Sequence, residues 1–459
     1  MFRRILIANR GEIAVRIIRT CIEMNIETVA VYSTADKDSL HVKLATKAVC
    51  IGPAKASQSY LNMNSILTAA LDNHCDAIHP GFGFLSENSD FARLCEENNI
   101  KFIGPKADVI DAMGNKAMAK TMMRKGNVPV VPGSDGALKD YDEAKEIADR
   151  IGYPVLLKAS AGGGGRGMRR AYSEKELKKA YDEAKAEARA CFGNDEMYIE
   201  KLIVNPRHIE FQILADEMGN VVHLGERDCS IQRKNQKLIE ESPCMLLSDE
   251  LRDKMGAAAV NAAKASGYTN AGTVEFVLDG DNNFYFIEMN TRIQVEHGVT
   301  EMVTGIDLIK EQIRIAFHEP LGFEQEDIKL KGHAMECRIN AEDPAKGFMP
   351  NSGKITFLNL PGGPGVRVDT MLYNGYETSP FYDSMMAKII VHAPTRLEMI
   401  RKMRRALMEI STEGIITTSD FEYLILFHPD FIKGKYNVGF IEEHMDEILS
   451  WDAFGEGNE

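Results

Sequence analysis

Apolar and polar positions follow two different rhythms along the first hundred residues. Ile5-Leu6-Ile7-Ala8, Thr28-Val29-Ala30-Val31-Tyr32, Ala48-Val49-Cys50-Ile51, Ala77-Ile78-His79 and Phe102-Ile103 are short apolar or β-rich runs. After the first of them, Ile13, Ile17 and Cys21 recur every fourth residue, with Ile18 and Ile22 beside them. That spacing belongs to a helix burying one face. Strand-like runs separated by helical stretches predict a parallel sheet with crossover helices, here a Rossmann-like layer over residues 1 to about 112.

A second region, about 113 to 330, opens with a polar helical stretch from Lys116 to Arg124. Val155-Leu156-Leu157-Lys158, Met197-Tyr198-Ile199-Glu200, the run His208 to Leu214 and Val221-Val222-His223-Leu224 read as strands. A third region, about 331 to 447, mixes strands (Ala334 to Ile339, Lys388 to Val391) with a helix near Arg396 to Glu409. Residues 448–459 form an acidic tail that is expected to fray. The class is α/β with α+β character, in about three domains.

Composition narrows the function. Lys and Arg number 54 against 68 Asp and Glu, a net charge of −14. Nucleic-acid binding needs the opposite surplus. Arg3 and Arg4 are followed by no long apolar run, so the start does not read as a signal peptide. No stretch of about 18 apolar residues occurs, and a cytoplasmic protein away from membranes is expected. The eight cysteines are scattered without a C-x-x-C pair and are expected to be reduced and inert.

Three segments carry candidate chemistry. The first is Gly162-Gly163-Gly164-Gly165-Arg166-Gly167, set between a strand and the run Met168 to Tyr172. Glycine brings backbone N–H groups against phosphate because no Cβ intervenes. A run this flexible reads as a mobile lid. Neither Gly353-Lys354-Ile355 nor Gly434-Lys435-Tyr436 completes a Walker loop, and Gly81-Phe82-Gly83 does not continue into a dinucleotide fingerprint.

The second is a hairpin. Phe276-Val277-Leu278 and Phe284-Tyr285-Phe286-Ile287 flank Asp279-Gly280-Asp281-Asn282-Asn283. Centred near residue 281 or 282, it sets Glu275 opposite Glu288, with side chains about 5 Å apart at Cβ. Two such carboxylates repel unless a cation intervenes, and Mg²⁺ takes carboxylates together with phosphate oxygens. Asn290 extends the oxygen set. A period of two would carry the same face through Arg292, Gln294 and Glu296, adding a guanidinium for an oxyanion and a carboxylate base. The third segment, Glu226 to Lys237, mixes both charge signs with amides. Taken alone it reads as an exposed charged loop.

In the order of the chain, the matching segments are Ile7 to Ala14, His79 to Asn88, Lys158 to Met168, Glu226 to Gln232, Phe286 to His297 and Glu336 to Glu342. Through them the sequence closely resembles the biotin carboxylase family of the ATP-grasp superfamily over roughly residues 1 to 447. The resemblance implies a central ATP-grasp domain with its lid at about 131–203, followed by a mixed α+β domain. It implies that Lys116 and Lys158 bind ATP phosphates, Gly164 and Gly165 lie in the lid, and Glu200, Lys201, Leu202 and Ile203 form the adenine hinge. His208, Gln232 and Asn235 stand near the nucleotide. Glu275, Glu288 and Asn290 match metal ligands for Mg²⁺ or Mn²⁺, two ions in all. Lys237, Arg292, Gln294, Val295 and Glu296 match the bicarbonate site, with Glu296 as base. Arg338 matches the residue that steadies biotin enolate, and Phe82 lies at the biotin position.

Four positions depart from the family pattern. Asn235 replaces a common histidine, Phe82 a tyrosine, Gly298 a proline, and Ala161 stands where an extra glycine is common.

The implied activity is carboxylation of biotin on a carrier protein by ATP and bicarbonate, through carboxyphosphate. Its first expected setting is the acetyl-CoA carboxylase of fatty acid synthesis, with pyruvate or propionyl-CoA carboxylase as rivals. No Met-Lys-Met biotinylation triplet occurs and no carboxyltransferase region follows. Biotin arriving on a separate carrier, beside carboxyltransferase subunits, is therefore expected, and the resemblance implies a homodimer. A carboxylate–amine ligase and a non-catalytic nucleotide-binding regulatory protein are the alternatives. The set Lys237, Arg292, Glu296 and Arg338 disfavours the first, and Glu275, Glu288, Arg292 and Glu296 disfavour the second.

Overall fold

The computed structural model describes residues 1–159 and 167–451. Its first layer is the parallel sheet that the alternation predicts. β1 (Arg4–Ile7), β2 (Glu27–Ser33), β3 (Lys47–Gly52), β4 (Ala77–His79) and β5 (Lys101–Phe102) lie in the order β3-β2-β1-β4-β5, every pair parallel. The helix Gly11–Glu23 buries Ile13, Ile17 and Cys21. These three share one apolar cluster with Ile5 and Ile7 and with Leu214, Ile293, Leu308 and Ile309 from later in the chain. Apolar burial at roughly 25 cal/mol per Å² thus joins this layer to the middle of the protein.

The loop after β4 is held by a specific clamp. The Asn9 amide donates to the carbonyls of Pro80 and Phe82, each at 2.7 Å. Gly81 has φ +64°, and a Cβ there would lie 2.9 Å from Asn9 Nδ2. Asn9 and Gly81 therefore require each other, which explains their joint presence in the two N-terminal motifs.

A small antiparallel sheet follows, ordered β7-β6-β8, from β6 (Val155–Ala159), β7 (Met168–Ala171) and β8 (Met197–Lys201). Lys158 pairs with Met168, so β6 and β7 form the hairpin that carries the glycine run. Gly164 and Gly165 themselves lie outside the described residues.

The largest element is an eight-stranded sheet. It contains β9 (Arg207–Ala215), β10 (Val221–Arg233), β11 (Gln236–Ser242), β12 (Asn270–Leu278), β13 (Phe284–Asn290) and β14 (His333–Asn340). The strands Met385–Ala393 and Val366–Thr370 extend it, giving the order β13-β12-β9-β10-β11-β14, then Met385–Ala393, then Val366–Thr370. The boundary expected near residue 330 thus falls within one continuous sheet. The helix Asp249–Ser266 packs Met255, Ala259 and Ala262 into the cluster of Phe211, Val274 and Phe276. Ser248 caps its start by accepting from Leu251 N–H, and Gly267 ends it at φ +62°.

Candidate functional site

A cavity of about 550 Å³ opens beside the small sheet, lined by Glu87, Lys116, Lys120, Ser134 and Tyr198 among others. Lys158 Nζ lies 2.5 Å from Glu200 Oε2, and Lys120 is ion-paired to the other oxygen of the same carboxylate. Burial and the neighbouring cations pull Lys120 down to about 7 and Lys158 down to about 8. Two amines share this one carboxylate, and when both are protonated they leave positive charge uncompensated, which suits a polyphosphate. Lys120 is not among the residues that the sequence singles out. It stands four residues after Lys116, hence on the same helix face, and that spacing is the signal that marks it.

The carboxylate hairpin forms as predicted. Glu275 and Glu288 are register partners on β12 and β13. A β-bulge follows at once, because Phe276 pairs with Phe286 and leaves Ile287 unmatched. The two acids differ electrostatically. Burial works against ionisation of Glu275, but Lys237 and His208 outweigh it and hold the carboxyl well below the usual range. Burial and the adjacent Glu275 push Glu288 up. Two opposed carboxylates, one ionised and the other raised by its neighbour, are a donor set that a divalent cation fits. Asn290 is buried on the same strand, and its amide donates to Glu275 Oε1 at 2.9 Å. His208 Nε2 lies 2.9 Å from Glu275 Oε2. Against burial, which lowers it, Glu275 raises the imidazole pKa.

β13 ends at Asn290, so the period of two does not run on to Glu296. Residues 291–296 instead form a loop that enters the helix His297–Thr304. This loop still gathers the expected groups. Arg292 donates to Glu87 at 2.8 Å, to Asn290 Oδ1 at 2.9 Å and to Gln294 Oε1 at 3.3 Å. Glu87 also accepts from Thr291 N–H at 3.1 Å. The sequence alone assigns Glu87 no role, and the fold makes it the anchor of Arg292. Gln294 donates to Glu275 Oε1 at 3.0 Å, tying the loop to the carboxylate pair.

At the centre lies Glu296, fully buried. Lys237 Nζ is 2.5 Å from its Oε1, and Arg338 Nη2 is 2.8 Å from its Oε2. Burial alone would raise this carboxyl, but Lys237, Arg338 and Arg227 hold it well below the usual range. Lys237 also meets Glu210 at 2.6 Å. Arg338 also meets Glu240 at 2.5 Å, and burial pushes Glu240 up to about 7.

The segment from Glu226 corrects a sequence expectation. Its first eight residues are not an exposed loop but the second half of β10, with Arg227 fully buried, and only Lys234 to Gln236 at the turn are exposed. Arg227 donates to Glu210 at 2.5 Å, Gln212 at 2.8 Å, Thr300 at 2.9 Å and Thr273 at 3.1 Å. Strands β9 and β12 and the helix His297–Thr304 supply its partners among the described residues, so the charge is satisfied inside the sheet.

Gln232 is buried on β10. Asn235 is exposed in the two-residue turn between β10 and β11, with φ +48° at Lys234 and +66° at Asn235. Asparagine accepts positive φ readily, a local reason for its presence there. Glu200 is buried under the lysines, while Lys201 donates to the carbonyls of Gly152 and Tyr153. Leu202 N–H donates to Pro154 O, and Ile203 is half-buried beside it. Phe82 is half-buried against the N-terminal cluster. Gly298 is buried, and a Cβ there would lie 2.3 Å from Ile390 Cδ1. No disulfide forms among the described residues; Cys50 and Cys191 are exposed and the other six cysteines buried.

Comparison with known proteins gives a consistent picture. Residues 1–110 match the biotin carboxylase N-terminal domain, residues 115–323 the ATP-binding domain of the carbamoyl-phosphate synthase L chain, and residues 336–443 the biotin carboxylase C-terminal domain. The chain is 56% identical over 445 residues to biotin carboxylase 1 of Bacillus subtilis (strain 168), covering 97% of this chain and 99% of that protein. It is 57% identical over 445 residues to the chloroplastic biotin carboxylase of Arabidopsis thaliana, covering 97% and 83%. The crystal structure of the biotin carboxylase domain dimer of Hydrogenobacter thermophilus 2-oxoglutarate carboxylase holds MgADP, ADP and bicarbonate. It matches with a TM-score of 0.92 at 53% identity, covering 98% of this chain and 99% of that one.

Proposed function

The chain belongs to the biotin carboxylase family and carries out ATP- and bicarbonate-dependent carboxylation of biotin, and we propose that it does so around Lys237, Arg292, Glu296 and Arg338. The observation that supports this placement is Glu296, buried between Lys237 and Arg338 at the end of the loop that carries Arg292 and Gln294.

Bicarbonate binds against Lys237 and Arg292, with Gln294 and Val295 shaping the loop around it. Its charge draws on the cations that hold Glu296 down. The carboxylate regains basicity and takes the O–H proton. The freed oxygen attacks the γ-phosphorus of ATP, ADP leaves, and carboxyphosphate forms. Lys116, Lys120 and Lys158 offset the charge on the phosphates. Glu275 and Glu288, with Asn290 alongside, would hold Mg²⁺ or Mn²⁺, which would supply positive charge to offset that of the phosphoryl group. Carboxyphosphate breaks to CO₂ and phosphate, and the phosphate takes the N1′ proton of biotin. Arg338 steadies the enolate while N1′ attacks CO₂.

The biotin arrives on a carrier protein, and carboxyltransferase subunits use the product. Acetyl-CoA carboxylase is the setting we favour, because separate biotin carboxylase subunits are usual there. We also infer a homodimer and a cytoplasmic site of action. No helix among the described residues is long and apolar enough to cross a membrane.

The test is ADP release with Mg²⁺, omitting bicarbonate or free biotin in turn. Dependence on both supports the reading, and indifference to biotin would make the acceptor site around Phe82 and Arg338 wrong. Adding biotinylated carriers from acetyl-CoA, pyruvate and propionyl-CoA carboxylases separates the settings by kcat/KM.

A further inference from the structure

Lys388 lies on the strand Met385–Ala393, inside the eight-stranded sheet, with no exposed surface. Its amine donates to the Val295 carbonyl at 2.6 Å. Glu12 Oε1 lies 3.4 Å away and Asp369 Oδ2 4.0 Å away. Glu12 belongs to the helix Gly11–Glu23 of the N-terminal layer, so three distant parts of the chain meet at this amine. A buried ammonium is expensive. Glu12, Glu336 and Asp369 face it and keep it charged against burial.

Its neighbour is informative. Lys388 is the register partner of Arg338 on β14. Directly opposed side chains share one face of a sheet. The two cations grip successive residues of one loop: Arg338 takes the Glu296 carboxylate at 2.8 Å, and Lys388 takes the Val295 carbonyl. His297 adds a third hold, with Nδ1–H donating to Gln294 O at 2.8 Å. In a trans peptide the C=O and N–H point in opposite directions. Fixing the Val295 carbonyl therefore also fixes the Glu296 N–H.

We propose that Lys388 is a positioning residue for bicarbonate, holding the backbone from Gln294 to Glu296 in the geometry that presents those side chains to the anion. This rests on the assignment of Gln294, Val295 and Glu296 to the bicarbonate site.

The test is steady-state kinetics of Lys388→Met beside Gln294→Ala, varying bicarbonate and ATP separately. We expect the bicarbonate KM to rise about tenfold or more in both variants, with the ATP KM within about twofold of wild type. A normal bicarbonate KM in Lys388→Met, with Gln294→Ala impaired, overturns the role of Lys388 alone. Normal values in both variants overturn the bicarbonate site as well. A parallel rise in both KM values in Lys388→Met marks general loosening and also overturns the proposal. If Lys388→Met does not fold, Lys388→Met/Glu12→Gln removes the nearest of the three carboxyl groups left facing the site and is read by the same criteria.

Discussion

The amine of Lys237 lies 2.5 Å from Glu296 and 3.3 Å from Glu275, so one cation joins Glu296 to the carboxylate pair on β12 and β13. Removing it leaves Glu210, Glu275 and Glu296 buried together without their shared counter-charge. Lys237→Met is expected to lower bicarbonate-dependent ATP turnover by about 100-fold or more. The melting temperature should fall in the same variant, because uncompensated buried charge is destabilising. Turnover within about threefold of wild type would break this link.

Lys120 and Lys158, the lysines proposed to meet the ATP phosphates, give a pH prediction. Lys120 sits at about 7 and Lys158 at about 8, both depressed from the ordinary lysine value of 10.5 by burial and by like charge. Near pH 8 the free protein therefore carries fewer protons than these lysines would bind in solution. The unfolded chain binds more, so these two groups make stability rise with pH from about 7 to 10.5. Polyphosphate binding should restore the protons. Calorimetric titration with ATP near pH 8, in buffers of different ionisation enthalpy, is expected to show net proton uptake, and its absence would contradict the assignment.

Arg227 tests the buried network. All its described partners are inside the sheet or on the helix packed against it, and replacing it by leucine removes one of the two cations on Glu210 and leaves Lys237 as the other. The expected cost is about 3–5 kcal/mol, read as a large fall in denaturation midpoint. Arg227→Lys keeps the charge but not the forked geometry and should recover only part of it.

Gly298 tests a local packing relation. An added Cβ would meet Ile390 Cδ1 at 2.3 Å. Gly298→Ala should cost about 1–3 kcal/mol, and Ile390→Val, which removes that methyl, should relieve most of it. Additive losses in the double variant would show that the two sites do not interact.

The legible parts of the sequence are those set by short-range periodicity. Ile13, Ile17 and Cys21 specify their helix face unaided, and Glu275 meets Glu288 because a turn at Asp279–Asn283 fixes their register. Arg227 is not legible. A charge in a strand is tolerable only through partners such as Glu210, Thr273 and Thr300, which local pattern does not reveal. Lys388 looks like an ordinary strand residue because the Val295 carbonyl it holds lies 93 positions earlier. The loop from Thr291 to Glu296 keeps its functional groups together although the strand ends at Asn290, since Glu87 and Lys388 hold it in place of a ladder.

Glu296 carries the central claim. Its carboxyl lies well below the usual glutamate value of 4.5. Its contribution to stability is thus full above about 4.5 and is lost as pH falls through the lower folded value. The carboxylate is ionised throughout the neutral range. The direct measurement is transfer of labelled carbon from bicarbonate to free biotin, with ATP and Mg²⁺, by wild type and Glu296→Gln at neutral pH. Glutamine keeps the shape and loses the base. The expected result is carboxybiotin from wild type and at least about 100-fold less from Glu296→Gln, with ATP binding retained. Carboxybiotin formed at the wild-type rate by Glu296→Gln would contradict the assignment of the base.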